Sequence, residues 1–290
     1  MPSESGESLV GVSETALGAA EMRAEESLRF NGLFDDPYAA AFVAAAPPLF
    51  ADIPSLADET ELAALIEASI TAIAIRTRFF DDFVLRACAT GYQQIVLLAA
   101  GLDTRAYRLN WPEGVRMFEL DLPGLFEFKE RVLTEQGALP RCERAVVAVD
   151  LREDWPTRLT AAGFEPNASS VWVAEGLLVY LSNDDAVRLL TAVGELSPGA
   201  SQLAFDYDEL VGKSTLSQVR VMPGMQEVAS MWQGGLNQHP DTWLREHDWT
   251  VQTSDRARLA TRYGRPLVGN ASGGFVIARR GAQPSASPPR

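Results

Sequence analysis

Hydrophobic and polar positions divide the 290-residue chain into two regimes. Up to about residue 90, apolar residues recur every three or four positions in Ala- and Glu-rich stretches, the spacing of amphipathic helices. Ser13 stands as the cap of a helix over 13–30, SETALGAAEMRAEESLRF. Asp35-Asp36-Pro37-Tyr38 reads as a second helix start, with Pro in its first turn, and Ala46-Pro47-Pro48 as its end. Residues 51–60 read as loop, and 61–88 as a further helix. Beyond residue 90 the pattern changes. Residues 95–99, IVLLA, show no polar alternation, the mark of a strand buried on both faces of a parallel sheet. Asp103-Thr104 then supply a helix cap, with a short helical continuation at 107–109. Further strands are predicted at 115–120 (VRMFEL), 145–149 (AVVAV), 170–174 (SVWVA), 202–207 (QLAFDY), 249–253 and 274–278, with helices at 123–135, 154–162, 185–196 and 241–246.

This alternation predicts an α/β fold, a doubly wound, mostly parallel seven-stranded sheet with right-handed crossovers, behind a helical N-terminal section over 13–90. Residues 208–238 interrupt the pattern with scattered Gly, Ser and Met, and read as a helical cap insertion over the strand ends. The expected organisation is one domain over 13–280, with disordered ends at 1–12 and 281–290.

Composition narrows the function. Asp and Glu number 39 against 25 Lys and Arg, a formal charge of −14, which opposes nucleic acid and anionic membrane surfaces as partners. No apolar run approaches the ~20 residues of a membrane span. The two cysteines, Cys88 and Cys142, have neither metal-ligand nor disulfide-framework spacing, and MPSESGESLV does not read as a signal peptide, so a cytoplasmic location is expected. His239 and His247 are the only histidines, so no metal site is expected.

The candidate chemistry lies at the strand ends. Ala99, Ala100 and Gly101 have almost no side chain, so a ligand can approach the backbone there. Asp121, Asp150 and Glu175 each stand at the end of a successive predicted strand. An acid after the second strand is placed to accept both ribose hydroxyls. An acid after the third can accept from an adenine amine, with the Leu151 N–H donating to a ring nitrogen. The alternative is that these acids cap helix N-termini. A dinucleotide would require G-x-G-x-x-G, whereas this turn reads Ala99-Ala100-Gly101-Leu102-Asp103-Thr104, and Asp103 would oppose a phosphate. A phosphate-free nucleoside cofactor such as S-adenosylmethionine suits the loop better. Arg76 and Arg78, before the first strand, offer a fork for a carboxylate. Ion pairs with Asp81 or Asp82 are the alternative for them.

Arg76-Thr77-Arg78-Phe79-Phe80-Asp81, LLAAGLDTRAYRL, FELD, AVDLRED and AEGLLVYL together resemble the leucine carboxyl methyltransferase-like class of S-adenosylmethionine-dependent methyltransferases. More narrowly, they are similar to its actinobacterial-type members linked to polyketide O-methylation, whose N-terminal segment RAEESLRFNGLFDDPYA also resembles. The likeness runs from about residue 16 to 278. It implies a class I, Rossmann-like methyltransferase fold. It also implies that Arg76 or Arg78 holds the methionine carboxylate, that the turn from Ala99 through Gly101 to Asp103 passes under the cofactor, and that Asp121 and Leu122 bind at the ribose. Asp150 and Leu151 would read the adenine, and Glu175 and Gly176 contact the amino-acid end. Ala99 departs from the Gly of eukaryotic members.

Methyl transfer from a sulfonium needs alignment and desolvation more than acid–base help. A carboxylate acceptor needs no base, whereas a phenol or alcohol does. The shortage of candidate bases therefore leans to a carboxyl acceptor. Tyr180 and Tyr207 could orient it. The N-terminal helices and the cap, with Met222, Met225, Met231 and Trp232, are expected to form a pocket for a small, flat apolar acceptor. The leading expectation is a small-molecule O-methyltransferase yielding S-adenosylhomocysteine; a homodimer is compatible with the sequence, which does not itself fix the oligomeric state. An NAD(P)-dependent oxidoreductase and a non-catalytic S-adenosylmethionine-binding protein are the alternatives.

Overall fold

The computed structural model describes residues 12–46, 59–207, 230–265 and 273–281. Helices α1 (Val12–Ser27), α2 (Ala39–Ala45) and α3 (Glu59–Ala89) precede the first strand. The sheet is built from β1 (Gln94–Leu98), β2 (Arg116–Asp121), β3 (Glu143–Ala148), β4 (Ser170–Ala174), β5 (Gln202–Tyr207), β6 (Trp249–Asp255) and β7 (Gly274–Arg280). Its order is β3-β2-β1-β4-β5-β7-β6. The pairs from β3 to β5 are parallel, and β7 alone runs antiparallel, between β5 and β6. The seven-stranded, mostly parallel sheet is as expected.

Composition explains the layering. Every residue of β1 and β4 is buried. Beyond the leading Gln94 and Ser170 neither strand has a polar position to show water, so each needs cover on both faces. Ile95, Leu97, Met117 and Val173 meet Phe79, Phe80 and Phe83 of α3 and Leu125 and Val132 of α5 (Pro123–Glu135). Val96, Leu98, Phe118 and Trp172 meet Trp155 and Leu159 of α6 (Trp155–Ala161), and Leu189 and Val193 of α7 (Asn183–Glu195). Each such side chain contributes about 1.5–3 kcal/mol when fully buried. The faces join N-terminal section to sheet: Phe79 stacks on Phe275 of β7 with ring centroids 4.4 Å apart.

Several boundaries differ from expectation. α1 ends at Ser27 rather than residue 30, because the Ser27 hydroxyl donates to Arg23 O and accepts the Asp36 N–H, turning the chain. A short helix α4 (Arg105–Arg108) follows β1, with Thr104 at its cap position. The Thr104 hydroxyl makes no cap bond; it donates to Asp36 instead, while Asp103 accepts the Arg105 N–H at 2.7 Å. After α8 (Pro240–Glu246) and β6 comes α9 (Arg256–Arg262), which the apolar pattern does not predict. Only Leu259 and Ala260 are buried in it, too few for a periodicity, and Asp255 caps it through the N–H groups of Ala257 and Arg258. The expected ends at 1–11 and 282–290, most of the 51–60 loop, and 208–229 of the cap lie outside the described residues.

The strand order reverses between β1 and β4. Loops leaving two such strands diverge, and ligands bind in the crevice outside their C-terminal ends.

Candidate active site

β1 delivers the chain into Ala99-Ala100-Gly101. Ala99 and Gly101 both have φ of +53°, a left-handed conformation that alanine rarely adopts. Hydrogen bonds hold it there. Ala100 N–H donates to Leu120 O at 2.9 Å, and Asp103 N–H to Ala100 O at 3.0 Å. Asp121, the last residue of β2, accepts the Gly101 N–H at 2.6 Å on one oxygen and the Leu122 N–H at 2.7 Å on the other. Asp121 thus clasps the neighbouring strand's turn and does not cap α5. Burial pushes its carboxyl above the usual range, and the two N–H bonds counter this only in part. Each oxygen can accept a second bond, so capacity for a pair of hydroxyls remains. α1 lies over the turn: a Cβ on Gly101 would sit 3.6 Å from Ala16 Cβ, and Arg23 Nη2 donates to Leu102 O at 2.7 Å.

The structure separates the two candidate arginines. Arg76 Nε donates to Glu175 Oε1 at 3.0 Å, and its Nη1 lies 3.8 Å from Asp206 Oδ2. Arg78 turns the other way, to Asp82 at 2.9 Å and Leu33 O at 2.8 Å, the i,i+4 ion pair that was its alternative reading. Arg76 therefore stands at the strand ends beside Glu175, and Arg78 does not.

Behind Glu175 lies a chain of buried charges. Arg105, only 2% exposed, reaches Glu175 Oε2 at 2.8 Å, Asp81 at 2.7 Å and Asp103. Arg108 bonds both oxygens of Asp81, at 2.6 and 2.7 Å. Asp36 accepts from Thr104 at 2.8 Å and from Arg23 at 2.9 Å. Burial disfavours the Arg105 cation, but Asp103, Glu175 and Asp81 outweigh it and hold its pKa well above the ordinary value. Burial likewise raises Asp103, and Arg105 reverses this, leaving that carboxyl below its usual range. Both Asp103 oxygens are taken up by Arg105. Asp103, predicted as a cofactor contact, anchors the turn through Arg105, which balances its charge within the protein.

The remaining predicted residues gather at the same end of the sheet. Asp121 pairs in register with Ala148 of β3, so Asp150 lies just beyond that strand's end. Asp150 accepts the Arg152 N–H at 2.9 Å and forms a two-oxygen ion pair with the Arg152 guanidinium, whose bonds hold the carboxyl below its ordinary range. Leu151 packs on the core beneath, and Leu122 is partly exposed beside Asp121. Gly176 has φ of +62° and donates its N–H to Asp206 at 2.6 Å. Tyr180 lies in a 3-10 turn after β4; Tyr207, at the end of β5, sets its ring edge to His239 at 5.1 Å. Residues 233–235 bond to the turn after β4: the Gln233 and Gly234 N–H groups donate to Val179 O, and that of Gly235 to Leu181 O. Met231 and Trp232 are half-buried in that segment, whereas Met222 and Met225 lie outside the described residues.

Sequence reasoning did not single out Arg105, Arg23 or Asp206, and named Asp81 as a partner of Arg76 or Arg78 rather than of Arg105 and Arg108. The signal for Asp206 was present, an acid in QLAFDY at the end of a fifth strand, in line with the other three. Among the described residues no group of three or more His, Cys, Asp or Glu could hold a metal ion.

A sheet in this order, with one reversed strand and small-residue turns flanked by carboxylates at its switch point, defines the Rossmann-like class I methyltransferase fold. A crystal structure of a Thermobifida fusca protein described as a "putative methyltransferase" shares this fold with a TM-score of 0.52, at 16% identity over 94% of this chain and 95% of that one. The model of the leucine carboxyl methyltransferase family matches residues 16–194. Two proteins named "Putative S-adenosyl-L-methionine-dependent methyltransferase" are similar over nearly the whole chain. The Frankia alni protein is 46% identical over 93% of this chain and 95% of its own length. The Streptomyces coelicolor protein is 42% identical over 89% of each. The chain belongs to the leucine carboxyl methyltransferase family and is an S-adenosylmethionine-dependent methyltransferase. The oxidoreductase alternative is set aside.

Proposed function

We propose that the crevice between the β1 and β4 turns holds S-adenosylmethionine, and that the enzyme methylates an oxygen of a small molecule, a carboxylate or hydroxyl of a polyketide-type metabolite. The observation that carries the cofactor placement is the Asp121 clasp, an acid with acceptor capacity beside a turn of minimal side chains. Asp121 and Leu122 would line the ribose, Asp150 and Leu151 the adenine, and Arg76 and Glu175 the amino-acid end. An Arg–Glu pair at 3.0 Å is complementary to a carboxylate and an ammonium on one carbon. The charge count agrees with a sulfonium. Arg76, Arg105 and Arg108 face Asp81, Asp103, Glu175 and Asp206, one anion in excess.

The cofactor supplies a methyl group on a positively charged sulfur, with a neutral thioether as leaving group. The chain's own part is to orient and desolvate the acceptor. Tyr180, Tyr207 and the half-buried Trp232 would border the acceptor's entry at this end of the sheet. His239 uses its Nδ1 to accept the Asp241 N–H, and His247 Nδ1 bonds Trp243 O at 2.6 Å, so both rings have structural bonds. A carboxylate acceptor would need no base. The free thiols of Cys88 and Cys142 agree with a cytoplasmic setting. Methyl transfer from radiolabelled cofactor to pools of carboxylic acids and of phenols tests the acceptor class. Labelled methyl esters are expected, and label confined to nitrogen or carbon acceptors would reject O-methylation.

A further inference from the structure

The turns after β1 and β4 are built alike. Each contains a left-handed glycine, Gly101 at φ +53° and Gly176 at φ +62°. Each glycine donates its N–H, at 2.6 Å, to a carboxylate at the end of the strand on its outer side, Asp121 of β2 and Asp206 of β5. β2 and β5 flank the central pair β1 and β4. The two acids therefore draw the two turns apart, one on each side of the switch point. Asp206 has a second contact that Asp121 lacks: its other oxygen lies 3.8 Å from Arg76 Nη1. Arg76 is thus held between Glu175 and Asp206, directly over Gly176, where a Cβ would come within 3.1 Å of Nη1.

We propose that Asp206 is a positioning residue for the amino-acid end of the cofactor: it fixes the Gly176 turn and sets Arg76 and Glu175 in register. This rests on the placement of the cofactor in this crevice. Asp206 itself touches neither cofactor nor acceptor. Its effect passes through Gly176 and Arg76, so it should be felt only by ligands that carry the amino-acid group.

Two ligands separate that role from a structural one. S-adenosylhomocysteine carries the amino acid, and 5′-methylthioadenosine keeps the nucleoside and thioether without it. Calorimetric titration of Asp206→Ala should show about tenfold weaker binding of S-adenosylhomocysteine, the loss of about one hydrogen bond, with methylthioadenosine changed less than about twofold. Asp206→Asn keeps an oxygen for the Gly176 N–H but turns an uncharged NH2 toward Arg76, and should recover part of the loss. Gly176→Ala, an independent perturbation of the same turn, should show the same selectivity and serves if Asp206→Ala does not fold. Equal weakening of both ligands, unchanged S-adenosylhomocysteine affinity, or failure of Asp206→Asn to recover would overturn the proposal. Wild-type protein that binds S-adenosylhomocysteine with no effect of Asp121→Ala would instead reject the crevice as the cofactor site.

Discussion

Replacing Arg105 by methionine removes a cation on which three carboxylates converge, while keeping a side chain of comparable reach. Asp81 would retain Arg108 at 2.6 Å, and Glu175 would retain Arg76 at 3.0 Å. Asp103, with a side chain 11% exposed, would lose its direct partner. Breaking a buried ion pair by removing one member costs about 3–5 kcal/mol. For a domain of this size ~1 kcal/mol corresponds to about 2–4 °C, so Tm at pH 7 should fall by roughly 6–20 °C. The pH dependence sharpens the test. In the wild type, burial raises Asp103, but Arg105, followed by Lys129 and Arg108, more than reverses this, so the folded pKa lies below the unfolded one. A depressed carboxyl pKa adds stability that is present above the unfolded value, near ~3.9, and is lost as pH falls through the folded value. With methionine at 105 burial acts against a weakened counter-charge, and Asp103 becomes a cost at neutral pH that protonation relieves. The stability gap between variant and wild type should therefore narrow from pH 7 to pH 5. Thermal and urea unfolding followed by circular dichroism measure both quantities. A loss under ~1 kcal/mol at pH 7, or a gap that stays constant on acidification, would show that Arg105 does not hold the turn electrostatically.

Asp121→Ala should weaken S-adenosylhomocysteine binding by ~1–3 kcal/mol through unpaired ribose hydroxyls, read by calorimetry; unchanged affinity would remove Asp121 from the ribose. Because burial raises the Asp121 carboxyl, wild-type affinity should begin to fall on acidification above the ordinary aspartate range, and the Asp121→Ala protein should lose that part of the pH profile. Arg76→Gln should weaken S-adenosylhomocysteine at least about tenfold, whereas Arg78→Gln should change it less than about twofold, since Arg78 faces Asp82. Equal effects of the two substitutions would contradict the assignment of Arg76 to the strand ends.

Much of this architecture is legible in the chain because it is written in short-range pattern. IVLL and VWVA have no polar position, and a central strand covered on both faces buries such runs. Asp121, Asp150 and Glu175 are legible for the same reason, since each follows a strand whose end the pattern marks. The Arg105 network is not legible, because its partners come from α3, the β1 turn and β4, and nothing local in DTRAYR reports that Asp81 and Glu175 will be there. Arg78 shows the converse: IRTRFFDD offers two arginines two residues apart, and helical rotation sends one to Glu175 and the other to Asp82. Asp103 looks like a charge aimed at a ligand until Arg105 is seen to take both its oxygens. α9 was missed because its helix is set by the Asp255 cap and two buried residues rather than by an apolar stripe.

The most direct test is a crystal structure of the protein with S-adenosylhomocysteine. The ribose hydroxyls should lie within about 3.2 Å of the Asp121 carboxylate, the adenine amine beside Asp150, and the amino-acid group between Arg76 and Glu175. A ligand bound elsewhere, or in the crevice with its ribose out of hydrogen-bond reach of Asp121, would contradict the account.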